Sequence, residues 1–208
     1  MEYLTPLLGL ALAHFLAAAS PGPAFVVSLQ ETLAKDRRAG VAAAVGIALG
    51  SFLWALLVLL GVGLVLQQAG WLYGALRLLG GLYLIYLGFR LWCGAAQPLA
   101  LPAAGGAGRG SLLASLRIGL LTQLVNPKAA VFFGSIFLTF LPPALPGWVQ
   151  AVVLANIFAV EFLWYLAVAL LFSAGRVRAA YAGAKLWIDR IAGGCLAALG
   201  LRLALSER

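Results

Sequence analysis

Glu161 stands near the middle of an apolar stretch from Gly147 to Ala174, the hardest place in such a segment to expose a carboxylate to hydrocarbon. Two outcomes are physical there. The carboxyl is paired, with Lys128 as the first partner to consider, or it is held protonated, and a group that changes between these states can relay a proton. Tyr165 follows one helical turn later on the same face, and Asn156 precedes Glu161 by about a turn and a half. Lys128 itself costs about 2.5–3.5 kcal/mol at the centre of a span, so it faces a cavity, a carboxylate or a carbonyl cluster, or it snorkels to an interface. His14 lies two turns before Pro21 and can project towards the same region, either shuttling protons or serving as a satisfied core histidine.

Two proline motifs sit among these residues. In Ser20-Pro21-Gly22-Pro23, neither proline has an N–H to give residue i−4, so Pro21 frees the carbonyl of Ala17 and Pro23 that of Ala19, with Gly22 allowing a bend between them. In Asn126-Pro127-Lys128, Pro127 frees the carbonyl of Gln123, while Asn126 offers both a donor and an acceptor. Freed backbone at membrane depth is tolerated where protein or a watery cavity covers it, and such breaks mark binding sites in secondary transporters. A structural kink packed against a neighbour is the competing account.

The elements that must position these groups follow from composition. Of 208 residues, 64% are hydrophobic and only 10% charged, with a mean hydropathy of +1.04, far too little polar surface for a water-soluble particle. Six apolar segments can be marked: Tyr3 to Gln30, Gly40 to Leu66, Trp71 to Trp92, Ser111 to Leu141, Gly147 to Ala174 and Leu186 to Leu205. Their apolar runs are continuous, which predicts helices and excludes a barrel. The expected fold is an all-α membrane protein of six transmembrane helices, with helices 1 and 4 broken by proline.

Residues 94–110, rich in Gly, Ala and Pro, read as a cytoplasmic linker between a first three-helix repeat (1–93) and a second (111–208). An odd number of spans per half makes the second half enter the membrane in the opposite sense, a 3+3 inverted repeat. Pro21 and Pro127 align at an offset of about 106 residues, which also brings the second and fifth spans into register. Lys35, Arg37 and Arg38 lie in the first connection, Arg90 and Arg109 at the third, and Arg176, Arg178 and Lys185 in the fifth, whereas the second and fourth carry no Lys or Arg. The positive-inside rule then puts odd connections in the cytoplasm and both termini outside. The net charge of +8 is mostly this topological signal. Contact with anionic membrane lipid follows from the same residues, and nucleic acid is not an expected partner.

The apolar N-terminal run opens with Met1-Glu2 rather than Lys or Arg and resumes after Pro23, so it reads as a retained first span rather than a signal peptide. Cys93 and Cys195 have neither the spacing for zinc nor that for thiol redox chemistry, and read as small buried hydrophobes. Gly46 and Gly50 form a G-x-x-x-G pair suited to close helix contact, expected inside the bundle rather than at a dimer face; homo-oligomerisation is left open. No metal site and no cofactor are expected, and no room remains for a separate enzymatic domain.

Taken together the motifs resemble a known family. Ser20-Pro21-Gly22-Pro23, Asp36-Arg37-Arg38-Ala39-Gly40, Val45-Gly46-Ile47-Ala48-Leu49-Gly50 and the stretch from Leu82 to Gly88 are similar to the first half of the LysE/RhtB family of bacterial amino-acid exporters. Gly119 to Gln123 leading into Asn126-Pro127-Lys128 and on to Phe133 resembles its second signature, Glu161 to Tyr165 its fifth span, and Gly193 to Leu203 its last. The resemblance covers nearly the whole chain. It implies multi-pass residence in the inner membrane and efflux of amino acids or related metabolites driven by the proton gradient. Ala24 stands where the family often has Asn, Asp36 where Gly is frequent, and Glu161 where the acid is usually Asp.

The residues expected to line the substrate and proton pathway are therefore His14, Pro21, Gly22, Pro23, Asn126, Pro127, Lys128, Asn156, Glu161 and Tyr165. An amino-acid-like small molecule and protons are the expected partners, and antiport the expected mechanism. The alternative is a metal-cation exporter of the same architecture, which needs several oxygen ligands in the cavity. A redox protein with paired intramembrane cysteines is disfavoured because Ser20 and Asn126 occupy the positions beside the breaks.

Overall fold

The computed structural model describes residues 3–68, 70–97, 111–140, 145–172 and 174–205, and leaves out the side chains of 62–68, 70–74, 76, 77, 127, 131 and 138–140. Arg109, most of the 94–110 linker and the side chain of Arg77 thus lie outside the described residues. Every described element is helical: α1 (Leu4–Ala19), α2 (Pro23–Ala34), α3 (Arg37–Gln68), α4 (Gly70–Gly94), α5 (Leu112–Leu124), α6 (Pro127–Phe140), α7 (Gly147–Leu171) and α8 (Gly175–Leu205).

Local chemistry accounts for the helix boundaries. Proline opens both α2 and α6, where a missing N–H costs no intrahelical bond. Asp36 caps α3 by accepting the Ala39 N–H at 2.8 Å, a job glycine could not do. Ser111 caps α5 through the Ala114 N–H at 3.4 Å. The axes of α1 and α2 are bent by 58° across Ser20–Gly22, and residues 112–124 and 128–137 by 60°.

One boundary departs clearly from expectation. The last helix starts at Gly175, eleven residues before the expected Leu186, because Arg176, Arg178 and Lys185 belong to its first turns rather than to a connection. Arg178 bonds back to the Phe172 carbonyl at 3.0 Å, and Lys185 pairs with Asp189 at 2.8 Å one turn on. Charge that reads as loop in sequence is helical here because its partners lie a turn away or across the α7–α8 corner.

Two seams hold the bundle at close range. In the α4–α8 seam, a Cβ on Gly81 would lie 2.7 Å from the Gly200 carbonyl oxygen, and one on Gly193 would lie 2.6 Å from that of Gly88. In the α3–α5 seam, a Cβ on Gly46 would meet the Leu120 nitrogen at 2.7 Å, so the G-x-x-x-G pair is spent on a contact within the chain. Outward-facing side chains are apolar: Leu8, Leu57, Leu79, Phe89 and Leu163 are each more than half exposed. In water such a surface would aggregate, whereas a bilayer solvates it.

Helices α3 (over Arg37–Gly61) and α7 are long and apolar enough to cross a membrane, and each bent pair qualifies when taken as one unit. Within α4, Leu78–Gly94 forms a shorter apolar stretch.

Candidate functional site

The two bends meet around a small polar core. His14 on α1, Ser20 and Gly22 at the first break, Gln123 at the end of α5, Asn126 and Lys128 at the second break, and Glu161 and Tyr165 on α7 line one cavity, completed by Phe132 and Phe133. Its free volume is about 30 Å³, room for about two waters. An amino acid does not fit this conformation without displacement of a side chain.

Glu161 is 3% exposed and makes two polar contacts. Its Oε2 lies 2.7 Å from His14 Nε2, and its Oε1 accepts from Gln123 Nε2 at 3.2 Å. The His14 contact is close without hydrogen-bond geometry, and neither imidazole nitrogen has a hydrogen-bond partner among the described residues. Phe132 stacks near the imidazole at 6.0 Å between ring centroids, and Phe133 flanks it at 5.4 Å. The first expected partner of Glu161, Lys128, does not bridge to it: His14 and Gln123 take the carboxylate, while the lysine ammonium is bound elsewhere.

That elsewhere is the first break. Lys128 Nζ donates to the Ala17 carbonyl at 2.9 Å, reaches the Ser20 carbonyl at 3.4 Å and contacts Ser20 Oγ closely. Ser20 Oγ also donates to the Ala17 carbonyl at 2.9 Å. The second carbonyl opposite a proline, that of Ala19, accepts from the Tyr181 hydroxyl of α8 at 2.7 Å. At the other break the Gln123 carbonyl accepts from the Asn126 N–H at 3.3 Å and from Trp54 Nε1 on α3 at 3.2 Å. Each of the three carbonyls opposite a proline, those of Ala17, Ala19 and Gln123, therefore has a partner.

Asn126 works in both directions, its Oδ1 accepting the Lys128 N–H at 3.0 Å at the start of α6 and its Nδ2 reaching Gln123 Oε1 at 3.4 Å. Gln123 Nε2 is shared further with Ser51 Oγ of α3 at 2.8 Å. The result is one chain of polar contacts, Ser51–Gln123–Glu161–His14, beside a separate ammonium site at Ala17 and Ser20.

Of the residues expected from sequence, the cavity gathers His14, Gly22, Asn126, Lys128, Glu161 and Tyr165. Pro21 is partly buried and Pro23 exposed at the break, neither lining the cavity, and Pro127 begins α6 with its side chain outside the described ones. Asn156 does not line it either: five residues from Glu161 rotate it to another face of α7, where its Oδ1 is buried without a protein partner. Sequence reasoning missed Gln123, Ser51, Tyr181 and Asp189 as polar contributors. Gln123 had a signal, being a buried amide four residues before Pro127. Among the described residues no three His, Cys, Asp or Glu side chains converge.

Comparison with known proteins places this geometry in context. The model of the LysE type translocator family matches residues 15–207. A threonine efflux protein from Escherichia coli K12 is 34% identical over 203 residues, spanning 96% of this chain and 98% of the relative. One from Salmonella typhi is 33% identical over 200 residues, spanning 95% and 96%. An uncharacterised membrane protein of Escherichia coli K12 is 30% identical over 195 residues, spanning 88% and 82%. No solved structure matches.

Proposed function

The chain belongs to the LysE type translocator family, a membrane transporter rather than an enzyme, and on that premise we propose that it exports amino acids or related small metabolites across the bacterial inner membrane by proton antiport. The observation that carries this reading is the His14–Glu161 pair, 2.7 Å apart and buried beside two bent helices. Such ionisable groups are costly in a membrane and mark transport and proton pathways.

Sharing one proton, the pair is net neutral. Losing it to the cytoplasm leaves one negative charge, which favours the ammonium of an entering amino acid. Regaining a proton from outside removes that attraction and releases the solute. In this cycle the substrate ammonium meets carbonyls at the first break and the negative pair, while its carboxylate meets Lys128 or the N-terminus of a half-helix.

The architecture we propose is six spans in two inverted repeats, α1/α2, α3 and α4 followed by α5/α6, α7 and α8, with both termini outside and residues 94–110 in the cytoplasm. Contacts between elements support it. Exchanging the halves turns the α3–α5 contact into α7 against α1/α2, and leaves the α3–α7 and α4–α8 pairs mapped onto themselves, all of which occur. Threonine is the first substrate to test, because relatives matched end to end are named for its efflux.

The test is counterflow in proteoliposomes against a panel of labelled amino acids. Accumulation of threonine or another small amino acid by preloaded vesicles is the expected result. Uptake no greater than in protein-free vesicles for every amino acid would overturn the reading.

A further inference from the structure

We infer that Lys128 is a resident surrogate for the substrate's ammonium, occupying the ammonium subsite when no substrate is bound, and that its displacement makes the transporter select zwitterions over simple amines. The inference rests on the export reading above and goes beyond it by assigning the subsite and a selection mechanism.

An ammonium group has three N–H donors and no acceptor. The Ala17 carbonyl, the Ser20 carbonyl and Ser20 Oγ give the Lys128 Nζ three oxygen neighbours, on a stretch of chain that has lost its helical donors to Pro21 and Pro23. An α-ammonium carries the same three donors and fits the same cradle. Gly22 keeps the approach open, since even an added Cβ there would come no nearer than 3.7 Å to the lysine nitrogen.

The cradle and its occupant come from different halves of the chain, the oxygens from the α1–α2 break and the lysine from α6. With Lys128 in place, the remaining hollow of about 30 Å³ admits no amino acid. Entry therefore requires the lysine to leave, and the cost depends on what it meets outside the cradle. A zwitterion supplies a carboxylate to receive it. A simple amine evicts the lysine but brings no carboxylate to receive it, so the lysine is left to compete with His14 and Gln123 for Glu161, a costly rearrangement in a dry site. Self-occupancy above about 90% raises the apparent dissociation constant of an amine by about tenfold.

The experiment uses the full-length protein in detergent, n-propylammonium chloride as probe and sodium butyrate as the anionic control, with thermal unfolding as readout. In Lys128→Ala the cradle stands vacant, and propylammonium should raise the melting temperature with an apparent affinity about tenfold tighter than in the wild type; butyrate should do nothing. Adding Ser20→Ala should weaken that amine response. If Lys128→Ala does not fold, Lys128→Met removes the charge while keeping most of the volume, and the same contrast is expected. Equal amine responses in variant and wild type, or no amine response in either variant, would overturn the inference. Failure of amino-acid counterflow with the amine contrast intact supports the cradle and removes only the transport reading; successful counterflow without the contrast removes the surrogate alone.

Discussion

The two bends meet the same chemical demand in different ways. At the second, the Gln123 carbonyl is satisfied close to home by the next turn's Asn126 N–H and by a neighbouring indole, and Asn126 caps the helix that follows. At the first, the Ala17 carbonyl takes Ser20 Oγ locally and Lys128 from more than a hundred residues away, and the Ala19 carbonyl is met by Tyr181 of α8. One bend is met by neutral donors, while the other holds a lysine delivered from its counterpart. On the inverted-repeat architecture proposed above, the two bends divide the labour, one offering acceptors and the other a cation.

The largest expected effect comes from the group that ties both bends to α7. Glu161→Ala removes the buried carboxylate that His14 and Gln123 both meet, and should lower unfolding stability by about 3–5 kcal/mol, the cost of breaking a buried pair. Chemical denaturation would measure it. A loss under 1 kcal/mol would mean the pair is not structurally coupled.

Next is the contrast between the bends themselves. Tyr181→Phe strands the Ala19 carbonyl in a buried position and should cost about 1–3 kcal/mol. Trp54→Phe removes only one of several donors to the Gln123 carbonyl, so its hydrogen-bond loss should be about 0.5–1.5 kcal/mol. Equal costs, or the reverse order, in matched unfolding experiments would break the distinction between a bend with backbone donors of its own and one that relies on a distant side chain. The smallest effect should be that of Gly22→Ala, within about 0.5 kcal/mol, because the backbone there is extended at φ −166° and the nearest contact to the added methyl is 3.7 Å.

Much of the site was legible in sequence because polar residues in hydrocarbon advertise themselves. Glu161, Lys128, His14 and Asn126 stand out from apolar surroundings, and the missing N–H of each proline identifies by simple counting the carbonyl that needs a new partner. Which partner arrives is another matter. Opposite charge nominated Lys128 for Glu161, but the angles at the two bends decide which side chain reaches which oxygen, and local spacing carries no information on those angles. Asn156 lies off the cavity because a turn and a half of helix sets it on another face of α7 from Glu161. Tyr181 and Asp189 escaped notice because the charges before them read as a connection, whereas Gly175–Leu205 forms one helix in which Lys185 pairs with Asp189 a turn on and Arg178 reaches the Phe172 carbonyl. The glycine seams were half visible: Gly46 and Gly50 have a recognisable spacing, whereas Gly81 and Gly200 pair from different halves of the chain, where no local spacing connects them.

The most direct test of the central claim, that the His14–Glu161 pair couples protons to solute movement, is threonine transport in proteoliposomes under an imposed pH gradient, comparing wild type with Glu161→Gln. The wild type should accumulate threonine against its gradient when protons flow the other way. The variant, similar in shape but unable to give up a carboxyl proton, should lose that accumulation. Uphill accumulation by Glu161→Gln at the wild-type level would contradict the account.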